Sequence, residues 1–425
     1  MAMFRFIHTA DVHIDSPMVG LSQHAGETVA RIRSATREAF SALIDKAIAE
    51  SVAFVVIAGD LYDGGWRDVR TGLYFSAQMG RLADAGIRCF IAYGNHDAES
   101  QITNRLNLPP TVSVFSSRKP ATFSIEELGV ALHGQSFATR DITADLAAGY
   151  PNPVAGAFNI GVLHTALTGL PGHANYAPCT LEELRAKGYQ YWALGHIHHG
   201  QVLNERPHVV FPGNLQGRSI KETGPKGAHL VIVKDGEITE FSTFHCDVVR
   251  WSRVSVDVAD CERDTEVVGR MREAIERAVE SEADGRLLAC RIELSGATPL
   301  HDGLMADQDQ LLAEAQSAAL GLGAERAWVE HVVVASQPET QSDGADDSGS
   351  LTDLQAWLAD GWQDGELTQR IDRELADFCS KLPSEVRSST DDPLLKALIT
   401  KDHAAVLRGA YPYLAGKLKA KARAS

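Results

Sequence analysis

Phe4–Asp15, FRFIHTADVHID, is the stretch on which the reading of this chain turns. An almost unbroken apolar run of strand length leads straight into Asp11-Val12-His13, two residue types that bind metals. Residues two apart in an extended segment point the same way, so both side chains can reach one point. The arrangement recurs. Gly59-Asp60 follows Phe54–Ala58, Gly94-Asn95-His96-Asp97 follows Ile87–Tyr93, His164 follows Asn159–Leu163, and Gly195-His196-Ile197-His198 follows Tyr191–Leu194. Val130–His133, His208–Phe211 and His229–Val233 are further predicted strands. Helical patterns intervene, the clearest at Val29–Ala49, where Ile32, Ala35, Ala39, Phe40, Leu43, Ile44 and Ala47 recur near 3.6-residue spacing. The early strands are apolar throughout, as when helices cover both sheet faces, and the later ones lie close enough together to pair antiparallel. Residues 1–247 are therefore expected to form a layered α/β domain with a mixed sheet or two stacked sheets. Ligands gather where the strands of such sheets end, so five strand ends can serve one site.

From about residue 248 the pattern changes. Trp251–Val258, Arg286–Leu294 and Ala327–Ala335 read as strands, with helices at Glu266–Val279 and Leu304–Leu320. This β-α-β-α-β order predicts a small α+β domain over 248–336. Gln337–Ser350, QPETQSDGADDSGS, is polar, acidic and aperiodic, and reads as a flexible linker. Residues 351–425 read as helical, interrupted around Gly361–Gly365, with Trp357 and Trp362 near one apolar stripe and a second helix from Pro393 to about Leu418. A helix behind a flexible linker can dock in a partner's groove.

Composition narrows the class. No apolar run approaches the roughly 20 residues of a membrane-spanning helix, and MAMFRFIHTADVHID lacks the apolar core of a signal peptide. A cytoplasmic protein with no membrane partner is expected. The six cysteines include no C-x-x-C pair, which argues against a structural zinc site or a disulfide framework. The net charge of −16 is uneven: residues 1–240 hold 20 Lys/Arg and 23 Asp/Glu, residues 241–425 hold 20 and 33. Two divalent cations would bring the first part near neutrality. No strongly basic domain is visible, so tight unaided binding to DNA is not expected.

Imidazole nitrogens together with carboxylate oxygens suit manganese, iron or zinc better than magnesium alone. An aspartate entering the middle, such as Asp60, can bridge two metals about 3.5–4 Å apart, and such a pair can bind a phosphoryl oxygen and acidify water. A histidine beside the cluster can protonate a leaving alkoxide. The Gly-rich loop Gly213–Gly227 carries Arg218, Lys221 and Lys226 and can present guanidinium and N–H groups to a phosphate. His173, downstream of His164, is a further candidate for substrate contact. His8 and His133, inside strands, read as satisfied core or edge histidines, and His199 as pointing away.

D-x-H, G-D, G-N-H-D, a lone His and G-H-x-H, in this order, resemble the signature of the calcineurin-like metallophosphoesterases. FIHTADVHID, GDLYD, YGNHD and FPGNLQGRSIKETGPKGAHLVIV make residues 1–240 similar to the SbcD/YhaO-type DNA-repair exonucleases of that family. The resemblance implies an α-β-β-α sandwich with mixed sheets, a capping domain, and metal-dependent hydrolysis of DNA phosphodiesters. It implies one metal on Asp11, His13 and His198, another on Asn95, His164 and His196, and Asp60 bridging, with Mn2+ the usual ion and Fe2+, Zn2+ or Mg2+ as alternatives. It implies that His96 is a non-ligating catalyst, oriented by Asp97. One position departs from the pattern: these nucleases often carry a His shortly after G-D, where this chain has Asp63. An acid near the phosphate needs a metal, Arg67 or Arg70 to offset its charge. A segment after the capping domain of such nucleases grips the coiled-coil base of an ABC-type ATPase of the SbcC kind, so that partner is implied beside DNA, with a homodimer left open. A nucleotide or cyclic-nucleotide phosphoesterase would use the same donors, and a weakly catalytic scaffold would keep the fold. The second domain and helical tail favour a large substrate or complex.

Overall fold

The computed structural model describes residues 3–16, 27–63, 69–99, 107–168, 176–339, 357, 365–382, 393–410 and 414. Among them, β1 (Phe4–Thr9), β2 (Phe54–Ala58), β3 (Arg88–Ala92) and β4 (Val112–Val114) pair in parallel. Strands β5 (Ala121–Ile125), β6 (Val130–Gly134), β7 (Phe158–His164), β8 (Tyr191–Gly195), β9 (Gln201–Glu205) and β10 (His208–Phe211) form a second sheet, ordered β5-β6-β7-β8-β10-β9. Its inner pairs are parallel and its two edge pairs antiparallel. Next come β11 (Gly227–Lys234) and β12 (Glu237–His245), which extend the first sheet beside β1, giving β12-β11-β1-β2-β3-β4. The β1–β11 and β11–β12 pairs are antiparallel, so both sheets are mixed.

Strand alternation explains the layering. In β2, Phe54, Val56 and Ala58 join a core with Phe6, Phe90, Phe158, Ile160, Val162, Tyr191 and Val210, so the two sheets face each other. Val55 and Ile57 point the other way, into a core with Phe40, Leu43 and Ile44 of α1 (Glu27–Ala49) and Phe75, Met79 and Leu82 of α2 (Val69–Asp84). The outer face of the second sheet offers Leu163, Trp192, Leu194 and Phe211, which pack with Leu184 of a short helix, Leu181–Ala186. A capping box starts that helix: the Thr180 hydroxyl accepts the Glu183 N–H at 3.2 Å, and the Glu183 carboxylate accepts the Thr180 N–H at 2.7 Å. Each large apolar side chain so buried contributes on the order of 2 kcal/mol. The result is the α-β-β-α sandwich expected from the resemblance.

Contacts divide the chain into two compact units. One comprises Met1–Ser252, Ala278–Cys290 and Ala324–Trp328; the other comprises Arg253–Arg277, Arg291–Gly323 and Val329–Ser425. Strands Val249–Asp257, Leu287–Ser295 and Ala327–Val334 form a three-stranded sheet with the middle strand central. The helix Asp264–Ala278 separates the first two strands in sequence, in the predicted element order. The helix expected over Leu304–Leu320 is two, His301–Ala306 and Gln308–Leu320. Asp307 leaves helical geometry between them, and its side chain accepts the Gln310 N–H as an N-cap. Gln337 and Pro338, read as linker, instead pair in parallel with Ala297 and Thr298; 340–350 lie outside the described residues. Helices Gly365–Lys381 and Pro393–Thr400 follow. The helical stretch expected from Pro393 breaks at Lys401, which is left-handed with φ 57°, and helix resumes over 403–410. Trp362 and the basic tail lie outside the described residues. No described helix is long and apolar enough to cross a membrane.

Gly195, at the end of β8, lies against the backbone of β2: a Cβ there would overlap the Ala58 carbonyl oxygen. Backbone cannot swing aside as a flexible side chain can. Gly195→Ala is expected to lower the unfolding free energy by about 3 kcal/mol in urea denaturation; a loss under about 1 kcal/mol would mean that the two strands separate easily at this point.

Candidate metal centre

Five loops leave the carboxyl ends of β1, β2, β3, β7 and β8 and meet. The first two run side by side beyond the sheet: the N–H groups of Asp11, His13 and Ile14 donate to the carbonyls of Gly59, Asp60 and Leu61 at 2.9, 3.0 and 2.9 Å. Side chains must turn inward within one or two residues of each strand end, and the backbone shows it. Asp11, His13, Asp60 and His196 all have positive φ, at 50°, 46°, 52° and 104°. Such conformations cost about 1–3 kcal/mol each and persist only where their surroundings hold them. Gly94 leaves space: a Cβ there would strike Asp60 and His164.

The donor atoms gather in adjoining groups. His13 Nε2 and His198 Nε2 lie 3.3 Å apart, and His198 Nε2 is 3.5 Å from Asp11 Oδ1. His164 Nε2 is 2.9 Å from Asn95 Oδ1 and 3.5 Å from Asp60 Oδ2, and Asp60, His164 and His196 group as a second set of donors. Asp60 lies between, its Oδ2 also 3.8 Å from His13 Nε2. Asp11, His13, Asp60, Asn95 and His164 are buried almost completely. Phe137 packs edge-on against the His164 ring and Tyr176 against that of His196, aromatic walls that no spacing in the sequence marks.

His96 sits beside this cluster, its ring centroid 5.1 Å from that of His13. Its orientation corrects the expectation for Asp97. The carboxylate that holds His96 Nδ1 is Asp63, at 2.9 Å. Asp97 points away and accepts the backbone N–H groups of Leu61, Tyr62 and Gly94 at 3.1, 2.9 and 3.0 Å, tying the second loop to the third. Asp97 lies in the first turn of the short helix Asn95–Glu99, so its side chain turns back on the preceding backbone rather than along the ring of its neighbour. Asp63 is not a loose negative charge either. Besides His96 it accepts the Ser16 hydroxyl at 2.6 Å, lies 3.7 Å from His13 Nδ1 and feels the charge of Arg218; Arg67 lies outside the described residues. Burial opposes a charge on His96, but the Asp63 hydrogen bond and the Asp60 charge raise its pKa.

The loop Gly213–Gly227 contributes more than its cations suggested. Glu222, unmarked in the sequence except as an acid four residues after Arg218, accepts His198 Nδ1–H at 2.7 Å and Arg218 Nη2–H at 3.0 Å. Arg218 is mostly buried and also reaches Ser16 Oγ at 3.4 Å. Lys226 is buried and donates to the His198 carbonyl at 3.2 Å, which makes it an anchor for the His-x-His turn. His173 lies outside the described residues. His8 is satisfied between Tyr191 Oη and the Leu194 carbonyl, His133 between Thr122 and Asn159, and His199 is exposed, as their positions in sequence suggested.

These residues fit divalent cations by the chemistry of their donors. His164 Nδ1–H donates to the Ala58 carbonyl at 3.0 Å, which leaves Nε2 aimed at the oxygens of Asn95 and Asp60. His198 is held likewise through Nδ1, its Nε2 facing His13 and Asp11. Lone pairs converging this way call for positive charge. Burial disfavours a charged imidazole, yet Asp60 and Asp11 lift His164 to about 9, and Asp11 and Glu222 lift His198 to about 9.

The comparisons with known proteins agree with this architecture. A family model described as calcineurin-like phosphoesterase matches residues 4–200, and one described as the middle domain of the metallophosphoesterase YhaO matches residues 251–337. The chain is 37% identical over 299 residues to the metallophosphoesterase YhaO of Bacillus subtilis (strain 168), covering 69% of this chain and 72% of that protein. The chain therefore belongs to the calcineurin-like metallophosphoesterases, and it is a hydrolase. It is also 26% identical over 282 residues to the DNA double-strand break repair protein Mre11 of Methanopyrus kandleri, covering 59% of this chain and 58% of that one. Of solved structures, a dimetal phosphatase from Danio rerio matches with 13% identity and a TM-score of 0.35, over 57% of this chain and 99% of that one.

The Asp97 contacts yield a stability test. Asparagine keeps the shape but turns an NH2 group towards a backbone N–H. Asp97→Asn is expected to destabilise the fold by about 2 kcal/mol in urea or thermal unfolding. Unchanged stability would show that the three N–H groups find other acceptors.

Proposed function

We propose that this chain hydrolyses phosphodiesters of DNA with two divalent cations, manganese foremost. The observation that carries the reading is His96, held by Asp63 at the rim of a cluster of carboxylate, amide and imidazole donors. Asp11, His13 and His198 would hold one cation, Asn95, His164 and His196 the other, with Asp60 shared between them. When bound, the pair supplies Lewis-acid charge for phosphoryl oxygens and acidifies water. His96 Nδ1 stays on Asp63, so Nε2 is the atom that can hand a proton to the departing sugar oxygen. Asp63 stabilises the charged imidazole and fixes its orientation; it acts behind His96 and needs no contact with the phosphate. Arg218, which lies beside His198 and Ser16, would meet a phosphate oxygen.

DNA as substrate draws support from the likeness to an Mre11 protein and from the unit that follows the catalytic one, which a small-molecule phosphoesterase would not need. Under the same reading, the helices after Gly365 would engage an ABC-type coiled-coil ATPase.

Manganese-dependent release of nucleotides from end-labelled DNA, run beside bis-p-nitrophenyl phosphate, tests the proposal. Both substrates should be cleaved. Cleavage of the small diester but never of DNA would move the assignment to small phosphodiesters. His96→Asn should keep manganese bound while turnover falls roughly 10²–10⁴-fold, and Asp63→Asn should lower turnover without changing manganese stoichiometry. Full activity in His96→Asn would remove its role as proton donor.

A further inference from the structure

Glu222 touches none of the converging donor atoms facing the pocket, yet its carboxylate is saturated with donors. Oε1 takes His198 Nδ1–H at 2.7 Å and Arg218 Nη2–H at 3.0 Å. Oε2 takes the Arg218 backbone N–H at 2.7 Å, Asn214 Nδ2–H at 2.8 Å and Arg218 Nε–H at 3.4 Å. Because carboxylate oxygens only accept, the 2.7 Å contact calls for a proton on His198 Nδ1, even though Arg218 Nη2 also lies 3.2 Å from that nitrogen; in the neutral ring Nε2 is then the bare nitrogen, facing Asp11 and His13. From Arg218 the contacts continue: Nη1 to Ser16 Oγ at 3.4 Å, Ser16 to Asp63 Oδ2 at 2.6 Å, Asp63 Oδ1 to His96 Nδ1 at 2.9 Å.

We propose that Glu222 is the positioning residue of this centre, fixing the tautomer and ring plane of His198 and holding the Arg218 guanidinium beside the pocket. The proposal rests on the metal-dependent reading above. A carboxylate behind a ligating imidazole sets which nitrogen is bare and raises its basicity. Here the same carboxylate also orients the arginine, so one side chain sets the geometry of a metal donor and of a phosphate contact together. Its other bonds, to Asn214 and the Arg218 backbone, would serve a loop staple equally well, and the test must tell these apart.

Glu222→Gln keeps size and one acceptor oxygen but confronts Asn214 and the Arg218 N–H with an NH2 group. We expect two manganese sites in the wild-type protein by titration calorimetry. In Glu222→Gln one of them should be weakened roughly 10–100-fold and the other little changed, with a rise in KM for bis-p-nitrophenyl phosphate as Arg218 is released. Glu222→Asp, which restores the carboxylate, should recover part of the lost affinity. A variant that unfolds more easily but binds manganese with wild-type affinity would reduce Glu222 to a loop staple. Should the variants fail to fold, histidine-selective 15N NMR of the metal-free wild type, recorded above pH 9 where the His198 ring is neutral, decides: a lone proton on Nδ1 supports the proposal, and one on Nε2 overturns it. Wild-type protein that binds no manganese would remove the centre itself, whereas normal wild-type binding matched by both variants would remove the role of Glu222 alone.

Discussion

Asp11 ties the two sheets together where the site forms. It follows β1 in the first sheet, and its carboxylate accepts the backbone N–H of His196, at the end of β8 in the second, at 2.9 and 3.1 Å. Asp60 does the same between neighbouring loops, taking the His96 N–H on Oδ1 at 3.0 Å while Oδ2 faces His13 and His164. A buried carboxylate is tolerated only when its charge is met, and hydrogen bonds to charged acceptors are roughly twice as strong as neutral ones. Each of these aspartates is thus both a fastening for a loop and a donor to the pocket. Loosening either would move the other groups with it.

Such a site opposes folding in several ways at once: left-handed backbone at four of its residues, several buried ionisable groups, and imidazoles set face to edge. The stability comes from elsewhere. Three apolar layers lie behind the loops, between the sheets and on both outer faces, and they hold the strand ends in register. Glycine appears where the loops or strands approach most closely, at Gly59, Gly94 and Gly195, because a Cβ at any of them would overlap a neighbour.

Strands buried on both faces were the easiest to read in the sequence: β2 and β8 are continuous apolar runs, and β1 and β7 are broken only by a few polar residues. The strands not foreseen, β4, β5, β9 and β12, are only partly buried along their length and carry mixed patterns such as ATFSI and QVLNE. At an edge only one face and one set of hydrogen bonds must be satisfied, so the pattern is weak. The same limit hid the break at Asp307, where a capping side chain overrides a helical apolar period. Glu222 was hidden for a different reason: nothing in a Gly-rich loop tells which of its charged groups will face a histidine twenty-four residues upstream.

The sequence by itself determined the layered α/β class, the five strand ends and the residues that gather there, because metal donors directly after apolar runs leave few places for those side chains to go. Tertiary structure decided which carboxylate serves which histidine. Asp97 adjoins His96 in sequence but turns back to three backbone N–H groups, while Asp63, in a different loop, holds the ring. That choice depends on the direction each side chain takes from its backbone and on the distance between loops carried by separate strands. Neither is written in the spacing of one chain.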